Sequence, residues 1–247
     1  MTIHSNIPLH LRRSVSIRPI SARSWLAMEG DRRFTHASAF ANYLYIVRGK
    51  GTDARGTVDY RHRGDLVAHG LELPSDHPHW AREEGRVWQE LDAAAATLPA
   101  DAVKAWHVVV TLPAEAAPDE WIAMVRRYAR DSIAAHGPAV AWAIHADGSS
   151  EQGAPPHAHL LMTTRVWRHG ARHGQTVPNW CGPAMRQRLH TDWLSALPDE
   201  MRRAATSAYR CGSFAPALPD CSALERLISA SPTEVGAENP ATNSAPG

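Results

Sequence analysis

The chain has 247 residues, 26 Lys/Arg against 25 Asp/Glu, and 15 histidines, for a formal charge of +1. This length suits one substantial domain, and the three dispersed cysteines (Cys181, Cys211, Cys221) exclude a disulfide framework or zinc ribbon and fit a reducing compartment. With no long apolar run and no signal-peptide pattern, a soluble, cytoplasmic protein is expected.

Residues 1–13 read as a leader. Residues 14–20 alternate in polarity and predict a first strand, with Pro19 marking an edge or strand end. Residues 35–47 place Ala37, Phe40, Ala41, Leu44 and Val47 at helical spacing, with Thr35 as N-cap, and stop at Gly49-Lys50-Gly51. A charged, glycine-containing turn region follows to Asp65. Residues 79–96 predict a second helix carrying Trp80, Val87, Trp88 and Leu91. His107 to Leu112 is a β-branched strand bounded by Pro113, and residues 118–135 form a third helix closed by Gly137-Pro138. Two strands come next, 141–145 and 157–165, separated by a Gly/Ser/Asp/Pro-rich loop. Beyond them lie a basic loop, helices near 184–197 and 199–209, and a tail from 230 without periodicity that reads as disordered. The order predicts an α+β sandwich: a mainly antiparallel central sheet with helices on one face, spanning residues 14–229.

The chemistry concentrates in the strand pair. Side chains alternate along a strand, so His157 and His159 share a face, and a hairpin would bring His145 beside them. Three neutral imidazoles on rigid strands suit a divalent ion and leave coordination positions open. The basic charge lies elsewhere: Leu11 to Asp65 holds eleven Lys/Arg against five acids, a stretch suited to a phosphate backbone. Arg18, Arg23, Arg48, Lys50 and Arg165 are the candidate phosphate contacts. Trp25, Trp167 and Trp180 lie in or near predicted loops, where an aromatic ring can stack on a ligand base.

His145, the Pro156-His157-Ala158-His159 run and the Leu161-Met162-Thr163-Thr164-Arg165 that follows it closely resemble the HUH motif of the MobA/MobL family of plasmid relaxases. Pro155 stands where that family usually has Asn, and the loop before it is longer than usual. The resemblance runs from about Ser14 to Arg165. It implies an HUH relaxase-like sandwich and a DNA relaxase that nicks one strand at an origin of transfer for conjugative plasmid mobilisation. It also implies a helix-borne tyrosine that becomes joined to the 5′ end of the cut strand. Tyr45-Ile46-x-Arg48-x-Lys50 resembles the nucleophile pattern of one family branch and selects Tyr45. Counting back from Asp59-Tyr60-Arg61, as the other branch requires, selects Tyr43. The two lie about 200° apart around a helix, so only one can face the histidines. Tyr45 is the first choice and Tyr43 the second.

A hard phosphate oxygen as co-ligand favours Mn²⁺ or Mg²⁺, although three imidazoles alone would also take Zn²⁺, Ni²⁺ or Co²⁺. The expected partners are single-stranded DNA, accessory mobilisation proteins and the secretion coupling machinery, with no membrane insertion. One departure bears on activity. The family commonly carries acids in the strand before its Leu-Pro, whereas His107-Val108-Val109-Val110-Thr111 has none; His107 is either a substitute or a strand-edge residue. A DNA-binding protein of the same fold that no longer cuts, and an unrelated HxH metal-dependent hydrolase, are the alternatives.

Overall fold

The computed structural model describes residues 15–24, 37–53, 56–146, 155–170 and 174–199. The expected leader, Trp25, the proposed cap Thr35, the helix near 199–209 (apart from its first residue) and the tail lie outside them. In chain order the elements are β1 (Val15–Ile20), α1 (Ala39–Ile46), β2 (Lys50–Asp53), β3 (Gly56–Asp59), β4 (Leu66–Glu72), α2 (Arg86–Ala95), β5 (Ala105–Thr111), α3 (Pro118–Arg127), β6 (Val140–His145), β7 (His157–Thr163), β8 (Arg165–Val166), β9 (Gln175–Thr176) and α4 (Pro183–Ala196). Five strands form one sheet in the order β1-β5-β7-β6-β4, with every neighbouring pair antiparallel. The α+β class is as the sequence indicates.

The helices cover both faces of this sheet, not one. Strands β5, β6 and β7 are buried at nearly every position, which a sheet with a solvated face would not allow. On one face Trp106, Val108, Trp142, Ile144, Leu160 and Met162 pack with Trp121 and Val125 of α3 and Leu189 and Trp193 of α4. On the other, Ala105, Ala141, Ala143 and Leu161 pack with Ile46 of α1 and Trp88 and Leu91 of α2. The alanines keep this second face shallow and let α1 lie close to β6 and β7. The histidines of β6 and β7 alternate with Ile144 and Ala158, so they point toward the α1 side.

Two expected helices are broken. Residues 79–96 divide into a 3₁₀ turn at His79–Arg82 and α2, separated by Gly85 at φ +72°. A Cβ there would meet the Phe40 ring at 2.7 Å, so conformation and the close approach of α1 both require glycine. Residues 118–135 divide into α3, a π-helical turn at Tyr128–Ile133 and a 3₁₀ turn at Ala134–His136. Within that π turn Tyr128 is buried and its hydroxyl donates to the Leu189 carbonyl at 2.7 Å.

The start of α1 is fixed from a distance. Ser38 is the N-cap, its Oγ accepting from the Ala41 N–H at 3.0 Å. Asp92 of α2 accepts from the Ser38 hydroxyl at 2.7 Å and from the Ala39 and Phe40 N–H groups at 2.8 and 3.0 Å. Its charge partner is Lys104 at 2.5 Å. A carboxylate at a helix N-terminus is favoured by the dipole, and here it also locks the helix carrying both candidate tyrosines.

Candidate metal and nucleophile site

Antiparallel register creates the histidine cluster. His145 of β6 lies directly opposite His157 of β7, and Ala143 opposite His159. Opposed residues project to the same face, so the rings of His145, His157 and His159 converge, with centroids 4.8–5.4 Å apart. All three are buried.

Hydrogen-bond partners fix which nitrogens carry protons. The His157 Nδ1–H donates to the Pro155 carbonyl at 2.9 Å, leaving the Nε2 lone pair available. His159 Nδ1 lies 2.8 Å from Nε2 of His107 on the neighbouring strand, with the two rings stacked. His159 Nε2 is buried and has no hydrogen-bond partner among the described residues, which suits a ligand atom. The His145 Nε2–H donates to the Ile46 carbonyl at 2.8 Å, and its Nδ1 accepts from the Arg48 guanidinium at 3.0 Å.

The electrostatics keep these rings neutral. Burial first, then the Arg48 charge, holds His145 well below the usual histidine range. Burial likewise lowers His157 and His159, the latter helped by its histidine neighbours. Neutral imidazole is the form that ligates metal. One nitrogen from each residue lies within 4.8 Å of the others. Two imidazole nitrogens on one ion, each about 2.1 Å from it, are at most ~4.2 Å apart. Small ring rotations therefore close the triangle, and the residues fit a divalent ion.

The tyrosines separate as helical geometry requires. The Tyr45 ring meets His159 edge-on at 5.7 Å and Tyr60 edge-on at 5.4 Å. Guanidinium carbons of Arg48 and Arg63 lie 4.7 and 5.7 Å from its centroid. Tyr43 instead stacks between Phe40 and Trp88. Burial and the nearby Glu84 carboxylate push its phenol up to about 12.

The candidate DNA contacts are dispersed. Arg18 is half-buried on the histidine face, opposite His107 in the β1–β5 register. Arg23 is exposed in the turn after β1, and Lys50 is exposed at the start of β2, 3.9 Å from Asp59. Arg165 is half-buried and donates to the Gly174 carbonyl. Arg48 is different. It is buried, and its Nε and Nη2 grip both carboxylate oxygens of Asp65 at 2.7 and 2.6 Å, so its guanidinium serves the interior and not a surface groove. Of the stacking candidates, Trp167 is buried edge-on against Trp80, and Trp180 is half-buried over Gly137.

Sequence reasoning missed Asp65 and β4. Asp65 sits just ahead of β4, which pairs with β6 and brings the carboxylate beside His145. Burial works against its charge, but the Arg48 hydrogen bonds outweigh it and hold Asp65 at about 2. The available signal was the alternating exposure pattern that Leu66-Val67-Ala68-His69 encodes, weakened by Gly70.

Comparison with known proteins assigns the family. The profile of the MobA/MobL family matches residues 36–177, which hold the tyrosine helix and all three histidines. The chain belongs to the MobA/MobL family. Among curated relatives of this family member, a conjugal transfer protein TraA of Rhizobium radiobacter is 29% identical over 135 residues, 51% of this chain and 12% of the relative. A probable mobilization protein MobA of Bifidobacterium longum is 29% identical over 142 residues, 57% of this chain and 24% of the relative. The chain therefore spans under a quarter of the length of these relatives. A chain solved under the description "Molecular Basis of Vancomycin Resistance Transfer in Staphylococcus aureus" aligns with a TM-score of 0.57 at 18% identity. That alignment covers 77% of this chain and 92% of the solved one, a likeness of fold. No described helix of this MobA/MobL chain is long and apolar enough to cross a membrane.

Proposed function

We propose that this MobA/MobL chain is a relaxase-type nickase that cuts one strand of DNA at an origin of transfer and remains joined to it through Tyr45. The observation that carries this reading is the Tyr45 ring lying against His159 of the cluster, while Tyr43 is stacked away from it. In the reaction the Tyr45 oxygen forms a bond to the scissile phosphorus and loses its proton. The bond from phosphorus to the 3′ oxygen breaks, and that oxygen takes up a proton to leave a 3′ hydroxyl. The 5′ phosphotyrosine conserves the phosphodiester, so the reverse attack can rejoin the strand.

His145, His157 and His159 would hold the ion, Mn²⁺ or Mg²⁺ given the hard phosphate oxygen it must share. A bound divalent ion supplies charge stabilisation to the phosphoryl oxygens in the transition state. The remaining tasks fall to the protein. Asp92 and Ser38 hold α1, β6 and β7 hold the imidazoles, and Arg63 places a cation beside the Tyr45 ring. Arg18, Arg23 and Lys50 would meet the DNA backbone, with accessory mobilisation and secretion coupling proteins acting on the same complex. The residues from 14 to 229 would form the nuclease domain, working in the bacterial cytoplasm.

The test is incubation of the full chain with Mn²⁺ and supercoiled DNA carrying the region that flanks its gene, followed by peptide mass spectrometry. A nucleotide-bearing peptide modified at Tyr45, lost in Tyr45→Phe and kept in Tyr43→Phe, is expected. A nick without any protein-linked 5′ end would overturn the reading.

A further inference from the structure

Arg48 is the residue that sequence reasoning assigned to DNA and the structure turns inward. It follows the C-cap of α1 at φ +55°, the left-handed region. The Gly49 N–H reaches the Leu44 carbonyl at 2.8 Å and the Arg48 N–H the Tyr45 carbonyl at 3.4 Å, the paired bonds of a Schellman motif. Glycine is the usual residue at that position, and an arginine there carries a backbone cost. Strain of this kind persists where the side chain is needed.

The side chain is fully engaged. Nη1 donates to the Tyr45 carbonyl at 2.7 Å, Nε and Nη2 hold Asp65, and Nη2 also donates to His145 Nδ1 at 3.0 Å. A carbonyl can only accept, so His145 Nε2, which contacts the Ile46 carbonyl, carries the ring proton. Nδ1 is then the only lone pair this imidazole has, and the guanidinium occupies it. Among the described residues no guanidinium bonds to His157 Nε2 or His159 Nε2 in this way. Burial works against the Arg48 charge, but the Asp65 and Tyr45 contacts outweigh it, so the group stays protonated and can leave Nδ1 only by moving.

We propose that the Arg48 guanidinium occupies the third ligand position of the histidine cluster, and that a divalent ion completes its site by displacing it from His145 Nδ1. Arg48 is thus a positioning residue: it holds His145 in the ligating tautomer and sets how tightly the ion binds. The inference rests on the histidine-site reading. Removing the guanidinium frees Nδ1 and also removes a positive charge adjacent to the ion, so both effects act in the same direction. A merely structural role predicts the opposite, since disordering α1 or Asp65 would weaken the site.

The experiment is Mn²⁺ titration of the full chain by calorimetry and electron paramagnetic resonance, without DNA. Arg48→Met is expected to bind Mn²⁺ about tenfold or more tightly than wild type, the range of a charged hydrogen bond. The Arg48→Met/Asp65→Asn double variant, which removes the liberated carboxylate as a new ligand, should still bind more tightly than wild type. Equal or weaker binding by folded variants overturns the inference, while wild-type binding abolished by His159→Ala keeps the site reading intact. Wild type that binds no Mn²⁺ at the histidines overturns both. Should Arg48→Met fail to fold, Zn²⁺ added to ¹⁵N-labelled wild type decides instead. The His145 Nδ1 and Arg48 Nη resonances should shift together, and an unchanged Arg48 signal on Zn²⁺ binding overturns the proposal.

Discussion

The contact between His107 and His159 makes a quantitative prediction about the metal site. His159 can ligate through Nε2 only if Nδ1 carries the proton, and the His107 Nε2 acceptor at 2.8 Å is what stabilises that tautomer. The bond joins two uncharged ring nitrogens, for which a net worth of ~0.5–1.5 kcal/mol applies. That corresponds to roughly 2- to 13-fold in affinity, while outer partners of metal-bound histidines generally contribute about 10–100-fold. The ranges meet near tenfold. His107→Ala should therefore weaken Mn²⁺ binding by about tenfold in a calorimetric titration, with the fold intact by circular dichroism. His107→Gln offers a carbonyl acceptor and should recover much of the loss. His107→Asp offers a charged one and should bind at least as tightly as wild type. Unchanged Mn²⁺ affinity in folded His107→Ala, or no difference between Ala and Gln, would refute the assignment of His107 to the tautomer of His159.

Stability should depend on pH through the same histidines. Their folded values lie below the unfolded histidine value of about 6.5, so the unfolded chain takes up protons first. Their contribution is complete above pH ~6.5 and is lost as pH falls, by up to about 1.4 kcal/mol per pH unit for each ring. Urea midpoints at pH 7.5 and 5.5 without metal should show this, and equal midpoints would contradict it. Asp92→Ala removes three bonds to the start of α1 and leaves Lys104, whose side chain is only 10% exposed, without that partner. A loss of about 3–5 kcal/mol is expected, lowering Tm by roughly 10 °C, and a drop under about 2 °C would count against the cap. Gly85→Ala should cost more than about 1 kcal/mol, because φ is +72° and Phe40 occupies the Cβ position; a neutral chemical denaturation curve would argue otherwise.

The histidine cluster was legible because it depends on two short-range rules. Period two puts His157 and His159 on one face, and a hairpin between adjacent strands adds His145. The β-branched run bounded by Pro113 also identified β5, and Pro118 marked the start of α3. The features missed depend on contacts distant in sequence or on conformations that no periodicity reports. The Ser38 cap on α1 is completed by Asp92, more than fifty residues away, so Thr35 looked a better start than Ser38. Gly85 divides a run of good helix formers because Phe40 packs where its Cβ would be. β4 is an edge strand with half-exposed residues and a central glycine, a weak signal beside the Val-rich β5. Covering of both faces was hidden because alanine and histidine on the α1 side read as neither clearly apolar nor clearly polar. Arg48 was misassigned because an arginine in a basic stretch reads as surface charge until its left-handed backbone and Asp65 are seen.

Charge accounting shows why a strand without carboxylates is compatible with a metal site here. The three imidazoles are neutral, and Arg48 is matched by Asp65, so the cluster without an ion carries no net charge. Asp65 supplies an acid beside the site from just ahead of β4, not from β5, where the resemblance would place one. Its charge is already committed to Arg48, however, and does not offset an added ion. A divalent ion therefore brings two uncompensated positive charges into a buried site, and burying charge without a partner is costly. The proposed reaction would provide what is missing, because a scissile phosphodiester carries one negative charge and an attacking tyrosine oxygen would develop another. Ion and DNA should accordingly bind with positive coupling: each raises the affinity of the other by the same factor, as linkage requires. Under the proposed function, a site built from neutral ligands and a self-paired arginine would be weak toward the ion alone and completed by bound DNA, so that metal-assisted chemistry would be favoured only where DNA is already in place.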